Sequence, residues 1–526
     1  MSRLSSAPTT DPTTTPEVPV LPAPARTATT RHDRPGARWW ALAVLMLPVL
    51  LVAVDNTVLS FALPVISEAL APTGQQLLWI VDVYPLVLAG LLVPMGSLGD
   101  RIGRRRLLLL GGTGFTVISA LAAFSQDAPT LIAARALMGF FGAMLMPATL
   151  SLIRNIFTDA TERRTAIAIW AAGFSGGAAL GPIVGGFLLG HFAWGSVFLL
   201  AVPVMLPLLI LGPLLIPESK DPTPGPVDPL SVLLVLATMT PLVYAIKTFA
   251  TTGMGVLPVA AAAVAILAGI AFVRRQLRRG EPMLDVTLFT RPVFTGAVTA
   301  NLLSVFSMVG FLYFISQHLQ LVSGRSPMEA GMVLLPGLLV TIVAGLAVVR
   351  LVRHVSPAAI VTGGLLLNGV AFTIAAVTGS WGSDLMLLIA FALLGAGVGG
   401  AETISNDLIL SAVPAEKAGA ASAISETAYE TGAVLGTAVL GSLLNYAYRS
   451  HVQLPAELTA SQQAAASETL GGATAVAEQL PASVAGPMLD SARHAFDSGV
   501  VITSGIGSAL MVLAAVIAHR TLRATD

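Results

Sequence analysis

Fourteen long apolar runs follow one another along this chain, and few folds can accommodate them. They occupy residues 39–63, 77–98, 107–125, 131–153, 165–189, 196–216, 231–250, 255–273, 293–316, 328–349, 358–378, 385–406, 417–443 and 498–518. A run of ~20 apolar residues crosses a bilayer as a helix, because lipid offers the backbone no hydrogen-bond partners of its own. The chain therefore reads as an all-α membrane protein. Its charge content agrees: Asp, Glu, Lys and Arg make up 11% of the residues, against about 25% in soluble domains.

Arginine placement sets the orientation, since cytoplasmic loops are enriched in basic residues. With the N-terminus inside, Arg31, Arg34 and Arg38 fall on the cytoplasmic side. So do the arginines between 101 and 106, Arg154 with Arg163 and Arg164, those between 274 and 279, Arg350 with Arg353, and Arg520 with Arg523. The expectation is a multi-pass protein of a bacterial inner (plasma) membrane with both termini cytoplasmic. Only Lys220, Lys247 and Lys417 stand beside the arginines, a skew typical of GC-rich bacterial coding.

Several functions are excluded. The chain has no cysteine, hence neither disulfides nor thiolate metal sites. Net charge is zero, and the loop arginines form no patch for nucleic acid. No Gly-Lys pair occurs, so the phosphate-binding loop of ATPases is missing, and energy for any pumping must come from an ion gradient. No enzyme and no cofactor is expected, and the chain is read as a monomer.

The runs suggest an organisation. Residues 1–38, rich in Thr, Pro and Ala, read as disordered. Residues 39–216 form a first six-helix half, 217–230 a Pro-rich cytoplasmic linker, 231–279 a two-helix insert and 280–519 a second six-helix half. Residues 520–526 are a cytoplasmic tail. Removing the insert would not change the sidedness of the later runs, the pattern of a twelve-span transporter with a central hairpin. Residues 445–497 read as a long external loop, either a tolerated insertion or a cap over the outer mouth.

The most charged link, Gly96-Ser97-Leu98-Gly99-Asp100-Arg101-Ile102-Gly103-Arg104-Arg105-Arg106, joins the second and third runs. Its arginines anchor topology. Its glycines, Gly96, Gly99 and Gly103, let two backbones turn and pack closely. Pro414 is suited to the first turn of the thirteenth run, whose N-terminus carries the positive end of a helix dipole. Asp100 is expected to dock there when the protein is open outward.

Ionisable groups inside a membrane cost roughly 2.5–3.5 kcal/mol each on insertion scales, so each needs a reason. Asp55, Asp82 and Arg135 fall at similar depth in the outer half of runs one, two and four. They read either as an ion pair fixing helix packing or as a proton site, since burial disfavours a carboxylate's charged form. Glu426 and Glu430 are spaced i, i+4 on one face near the middle of run thirteen, with Tyr429 beside them. With Tyr84 and the weaker Glu402 they are the candidates for meeting a cationic substrate, the rings contributing by their faces. Lys247, near the end of run seven, is expected to snorkel to the interface. Trp39, Trp40, Trp79, Trp194 and Trp381 sit at run ends, as interfacial belts do.

Run five contains Gly176-Gly177-Ala178-Ala179-Leu180-Gly181-Pro182-Ile183-Val184-Gly185-Gly186, a stripe for close helix packing with a proline bend. These motifs together resemble the major facilitator superfamily, and from residue 39 to 523 the fourteen-span drug:proton antiporters of the QacA and LfrA type. The matching residues are Asp55-Asn56-Thr57-Val58-Leu59, Leu78-Trp79-Ile80-Val81-Asp82-Val83-Tyr84, the charged link, the run-five glycines and the Glu426–Glu430 pair. The resemblance implies that Asp100, Arg101 and Arg104 lock the two halves on the cytoplasmic side. It ties Arg135-x-x-x-Gly139 to proton coupling, and Gly181-Pro182-x-x-Gly185-Gly186 to export. It implies efflux of quaternary ammonium compounds, ethidium-like dyes and fluoroquinolones in exchange for protons. A proton-coupled exporter of a physiological metabolite on the same fold is the alternative. Only Glu329 stands in run ten where some members carry an acid for divalent cations, and it lies at the edge.

Overall fold

The computed structural model describes residues 35–220, 228–280, 282, 284–378, 384–412 and 418–523. The expected disorder of the first 34 residues, the docking proline Pro414, and Trp381 and Lys417 lie outside these described residues.

The regular elements among them are helical. The first group comprises α1 (Pro35–Leu70), α2 (Gly74–Ile102), α3 (Arg104–Ala122), α4 (Ala128–Gly142), α5 (Leu145–Ile156), α6 (Ala160–His191), α7 (Ser196–Leu199) and α8 (Ala201–Leu215). The hairpin α9 (Pro229–Thr252) and α10 (Val256–Arg278) comes next. A second group comprises α11 (Pro292–Gln317), α12 (Pro327–Leu351), α13 (Pro357–Thr378), α14 (Asp384–Ser411), α15 (Ala418–Gly436) and α16 (Ser442–His451). The short α17 (Ala460–Glu468) and α18 (Leu470–Ala477) lead into the long α19 (Ala482–Leu522). Thirteen helical stretches are long and apolar enough to cross a membrane, α4 with α5 and α7 with α8 each making one. The run α15, a π-helical turn at Thr437–Gly441, and α16 is continuous helix too, but its glutamates and hydroxyls keep it outside that set.

Caps explain where helices begin. Thr73 and Gln76 form a capping box on α2, and Ser326 with Glu329 forms one on α12. The edge acid Glu329 is thereby a helix cap. Asp228 caps α9 ahead of Pro229. It also meets Arg275 and Arg279 of α10, each at 2.9 Å, which ties the base of the hairpin. Hydrogen bonding from Arg275 holds the Asp228 carboxyl well below the usual carboxylate range.

The charged link is shorter than the sequence implies. α2 continues to Ile102, and the turn into α3 is Gly103 alone, at φ +113°. Only glycine adopts that angle without strain, and a Cβ there would stand 2.7 Å from the Glu218 carboxylate. Asp100 pairs with Arg104 at 2.8 Å. Arg104 also donates to Ser219 Oγ at 3.0 Å, and the Arg105 amide donates to Glu218 at 3.1 Å. These bonds fold the link onto the end of the first group rather than across to the second.

The two groups meet along two seams, α2 against α15 and α6 against α12. At the end away from Gly103 they are also bonded together. Asn445 Nδ2 donates to the Gly74 carbonyl at 3.1 Å, the Gly74 amide donates to Glu468 at 3.1 Å, and Ser67 and Thr469 hydroxyls meet at 3.1 Å. Much of the expected 445–497 loop is thus ordered helix. α16 extends to His451, α19 starts at Ala482, and the buried α18 packs against α1 and α19.

Candidate functional site

Arg135 of α4 anchors the first cluster. Its Nη1 donates to Asp55 Oδ2 of α1 at 2.6 Å and its Nε to the Ile80 carbonyl of α2 at 3.2 Å. Its guanidinium lies 4.5 Å from the centre of the Tyr84 ring. Both ionic side chains are almost fully buried. Gly139, one turn further along α4, makes this contact feasible: a Cβ there would stand 2.6 Å from the Tyr84 carbonyl. The Arg-x-x-x-Gly spacing therefore has a mechanical meaning, since residues four apart share a helix face. The arginine reaches across while the glycine lets the backbones close.

Of the two carboxylates expected at this depth Arg135 pairs with Asp55, and Asp82 is not part of this cluster. It lies two residues from Tyr84, and on a helix that spacing turns side chains to opposite faces. Its carboxylate instead meets Lys247 Nζ of α9 at 2.9 Å, with both side chains fully buried. Lys247 does not snorkel. Its ammonium sits 4.1 Å from the Trp79 ring centre, so Trp79 is a cation partner and more than an interfacial belt residue. Trp79 and Asp82 are spaced i, i+3, the signal that could have joined them.

The second cluster lies between the helix groups. Glu426, Tyr429 and Glu430 of α15 stand near Glu402 of α14, close enough that all three carboxylates act electrostatically on the Tyr429 phenol. Glu430 is buried, while Glu402, Glu426 and Tyr429 are half-buried. The Tyr429 ring meets Phe174 of α6 edge-to-face at 6.1 Å, an aromatic pair joining the two groups. Phe174 escaped the sequence reading because an aromatic in an apolar helix looks like core. Among the described residues, no arginine or lysine pairs with these three glutamates. Tyr84 stacks on Arg135 and is fully buried. It does lie within electrostatic reach of Asp55, Arg135 and Glu430, and so stands between the clusters.

The glycines of α6 serve two neighbours. Gly177, Gly181 and Gly185, spaced by four, face α1 at Ala53, Thr57 and Val58. Thr57 Oγ1 donates to the Ala178 carbonyl at 3.1 Å, placing the Asp55-Asn56-Thr57 stretch against them. Pro182 and Gly186, again four apart, face α12, where a Cβ on Gly331 would lie 2.6 Å from the Pro182 carbonyl. Gly331→Val is expected to wedge this seam open at a cost of about 1–3 kcal/mol, as overpacking does. A lower unfolding temperature of the purified protein together with slower transport checks it; an unchanged melt would show that the seam absorbs the bulk.

A bundle of long apolar helices in two groups, with carboxylates and aromatic rings among them, is that of a multi-pass membrane protein, and its family and relatives make it a transporter rather than an enzyme. The chain belongs to the Major Facilitator Superfamily, whose family model matches residues 45–437. It is 57% identical to the multidrug efflux pump LfrA of Mycolicibacterium smegmatis, over 92% of this chain and 96% of that protein. It is 40% identical to the methyl viologen resistance protein SmvA of Salmonella typhimurium, over 91% and 97%. Among solved structures it resembles an inward-facing, unoccupied bacterial homolog of the human lysosomal transporter Spinster. The TM-score is 0.65 at 16% identity, covering 94% of this chain and 99% of that one.

Proposed function

We propose that this transporter expels lipophilic cations from the cytoplasm in exchange for protons, with the Gly103 end cytoplasmic. The observation that carries the reading is the Glu402–Glu426–Glu430 cluster around Tyr429 and Phe174, between the helix groups. A cation leaving water loses hydration, and facing carboxylates restore part of that by Coulomb attraction in a low-dielectric site. The rings add their negative faces to the same charge. The names of the relatives, a multidrug efflux pump and a methyl viologen resistance protein, support a cationic drug as cargo.

Coupling is assigned to Asp55 and Arg135. While the pair is intact both charges are satisfied, and a proton on Asp55 releases the arginine. Tyr84, stacked on Arg135 and within electrostatic reach of Glu430, would sense that release and pass it to the drug site. The Pro182–Gly186 face of α6 against α12 provides a surface on which the halves rock, and the link around Asp100, Arg101 and Arg104 stiffens the cytoplasmic end of the first half. The bonds from Gly74 and Ser67 to the far end of the second group fit a state closed to the outside.

Ethidium accumulation in everted vesicles, with and without an imposed proton gradient, tests the reading. Gradient-dependent uptake is expected. Uptake indifferent to collapse of the gradient would remove the coupling, and no uptake of any cationic dye would remove the substrate class.

A further inference from the structure

The hairpin α9–α10 takes no part in either cluster, and α10 packs chiefly on α9. α9 itself packs on α2 and on the π-helical turn and α16 that continue α15, beside the line where α2 meets α15. Leu86 of α2, Val243 of α9, and Val434 and Ala438 of the α15 run form a small apolar cluster of their own, with Trp79, Met239 and Ile246 packed on it. The Lys247–Asp82 pair belongs to the same contact. Thr437 of the π-helical turn lies beside the carboxylate, and Tyr313 of α11 is within its electrostatic reach. One ion pair thus stands where the first half, the hairpin and the second half meet.

Stability does not account for it. Two charges removed from water repay their desolvation only with excellent geometry, and apolar residues of similar shape often serve as well. What an ion pair provides that apolar contacts do not is a unique register, because a slipped helix leaves a bare charge. We propose that Lys247 is the resident counter-ion of Asp82, and that through it the hairpin braces the α2–α15 seam as the halves move. Lys247 is then a positioning residue. It acts on the rate of the conformational step and leaves the drug site around Tyr429 untouched.

The test uses full-length Lys247→Met, Asp82→Asn, the double variant and Lys247→Arg. Ethidium transport is measured in proteoliposomes, and ethidium affinity by fluorescence on purified protein. Each single neutralisation should lower the maximal rate about tenfold or more, since it leaves one buried charge uncompensated, with ethidium affinity unchanged. The double variant should recover most of the rate, and Lys247→Arg should keep part of it. A second arm needs no transport. Cysteines at Val243 and Val434, in a chain without native cysteine, should cross-link more slowly in the single variants and recover in the double. Single variants that keep the wild-type rate, lose affinity instead, or cross-link normally would overturn the brace. So would a double variant no better than the singles. If the singles fail to insert, the double decides: active, it supports the pairing; inactive, it refutes it. Absence of ethidium transport by the wild type would count against the efflux reading alone and leave the cross-linking arm decisive.

Discussion

Asp55→Asn is expected to abolish proton-driven efflux while the protein still inserts and still binds dye. The carboxylate is held by Arg135 at 2.6 Å in a nearly dry site, and amide replacement keeps its shape while removing both its charge and its ability to carry a proton. Dye counterflow without a gradient should persist, because binding and rocking do not need Asp55. Gradient-driven uptake at the wild-type rate would place the coupling proton elsewhere. Arg135→Ala should be worse in a different way. It leaves the Asp55 carboxylate buried and unpaired, a loss of about 3–5 kcal/mol, so unfolding temperature and transport should fall together. Arg135→Lys keeps the charge but not the second donor to Ile80 or the flat contact with Tyr84. It should retain the fold and lose most of the coupling.

The second large effect is expected from Glu426→Gln with Glu430→Gln. If these carboxylates take either a proton or the drug, wild-type dye binding weakens as pH falls, because protons compete for the same charge. Removing both charges should weaken cationic dyes more than neutral or zwitterionic drugs, and should flatten that pH dependence. Tyr429→Ala should cost affinity for the same dyes, by roughly the 0.5–2 kcal/mol of a cation–π contact, without altering the pH profile. The measurement is dye fluorescence titrated against purified protein at several pH values. Tight cation binding with an intact pH dependence in the double variant would make the pair structural.

Much of this was legible along the chain. The insertion cost of charge singled out Asp55, Asp82, Arg135, Glu426 and Glu430, because a carboxylate in lipid has no neutral explanation. The i, i+4 rule put the two glutamates on one face, and the small residues of run five marked a stripe for close helix packing. What failed was partnership. Similar depth left Arg135 as the partner of either Asp55 or Asp82; it pairs with Asp55, a choice that depth, being only one coordinate, could not make. Asp82 and Tyr84 diverge by their spacing on α2, and Lys247 looked like a snorkelling end residue because nothing in α9 alone shows what covers it. The 445–497 stretch read as loop because its small polar residues carry no apolar period; α18 is helical there and is buried against α1 and α19.

Sequence by itself determined that this chain is a multi-pass membrane protein, which stretches are apolar and long enough to cross a bilayer, and which charged groups are costly to bury there. Hydropathy and charge vary along one dimension, and a bilayer sorts residues along that same dimension. Tertiary structure alone decided that Arg135 belongs to Asp55, that Lys247 belongs to Asp82, that Phe174 meets Tyr429, and that α9 lies beside the seam. The physical reason is that an ion pair or a ring contact is settled within a few ångströms, by the rotation of each helix and the identity of its neighbour. Those are set by close packing between segments up to hundreds of residues apart.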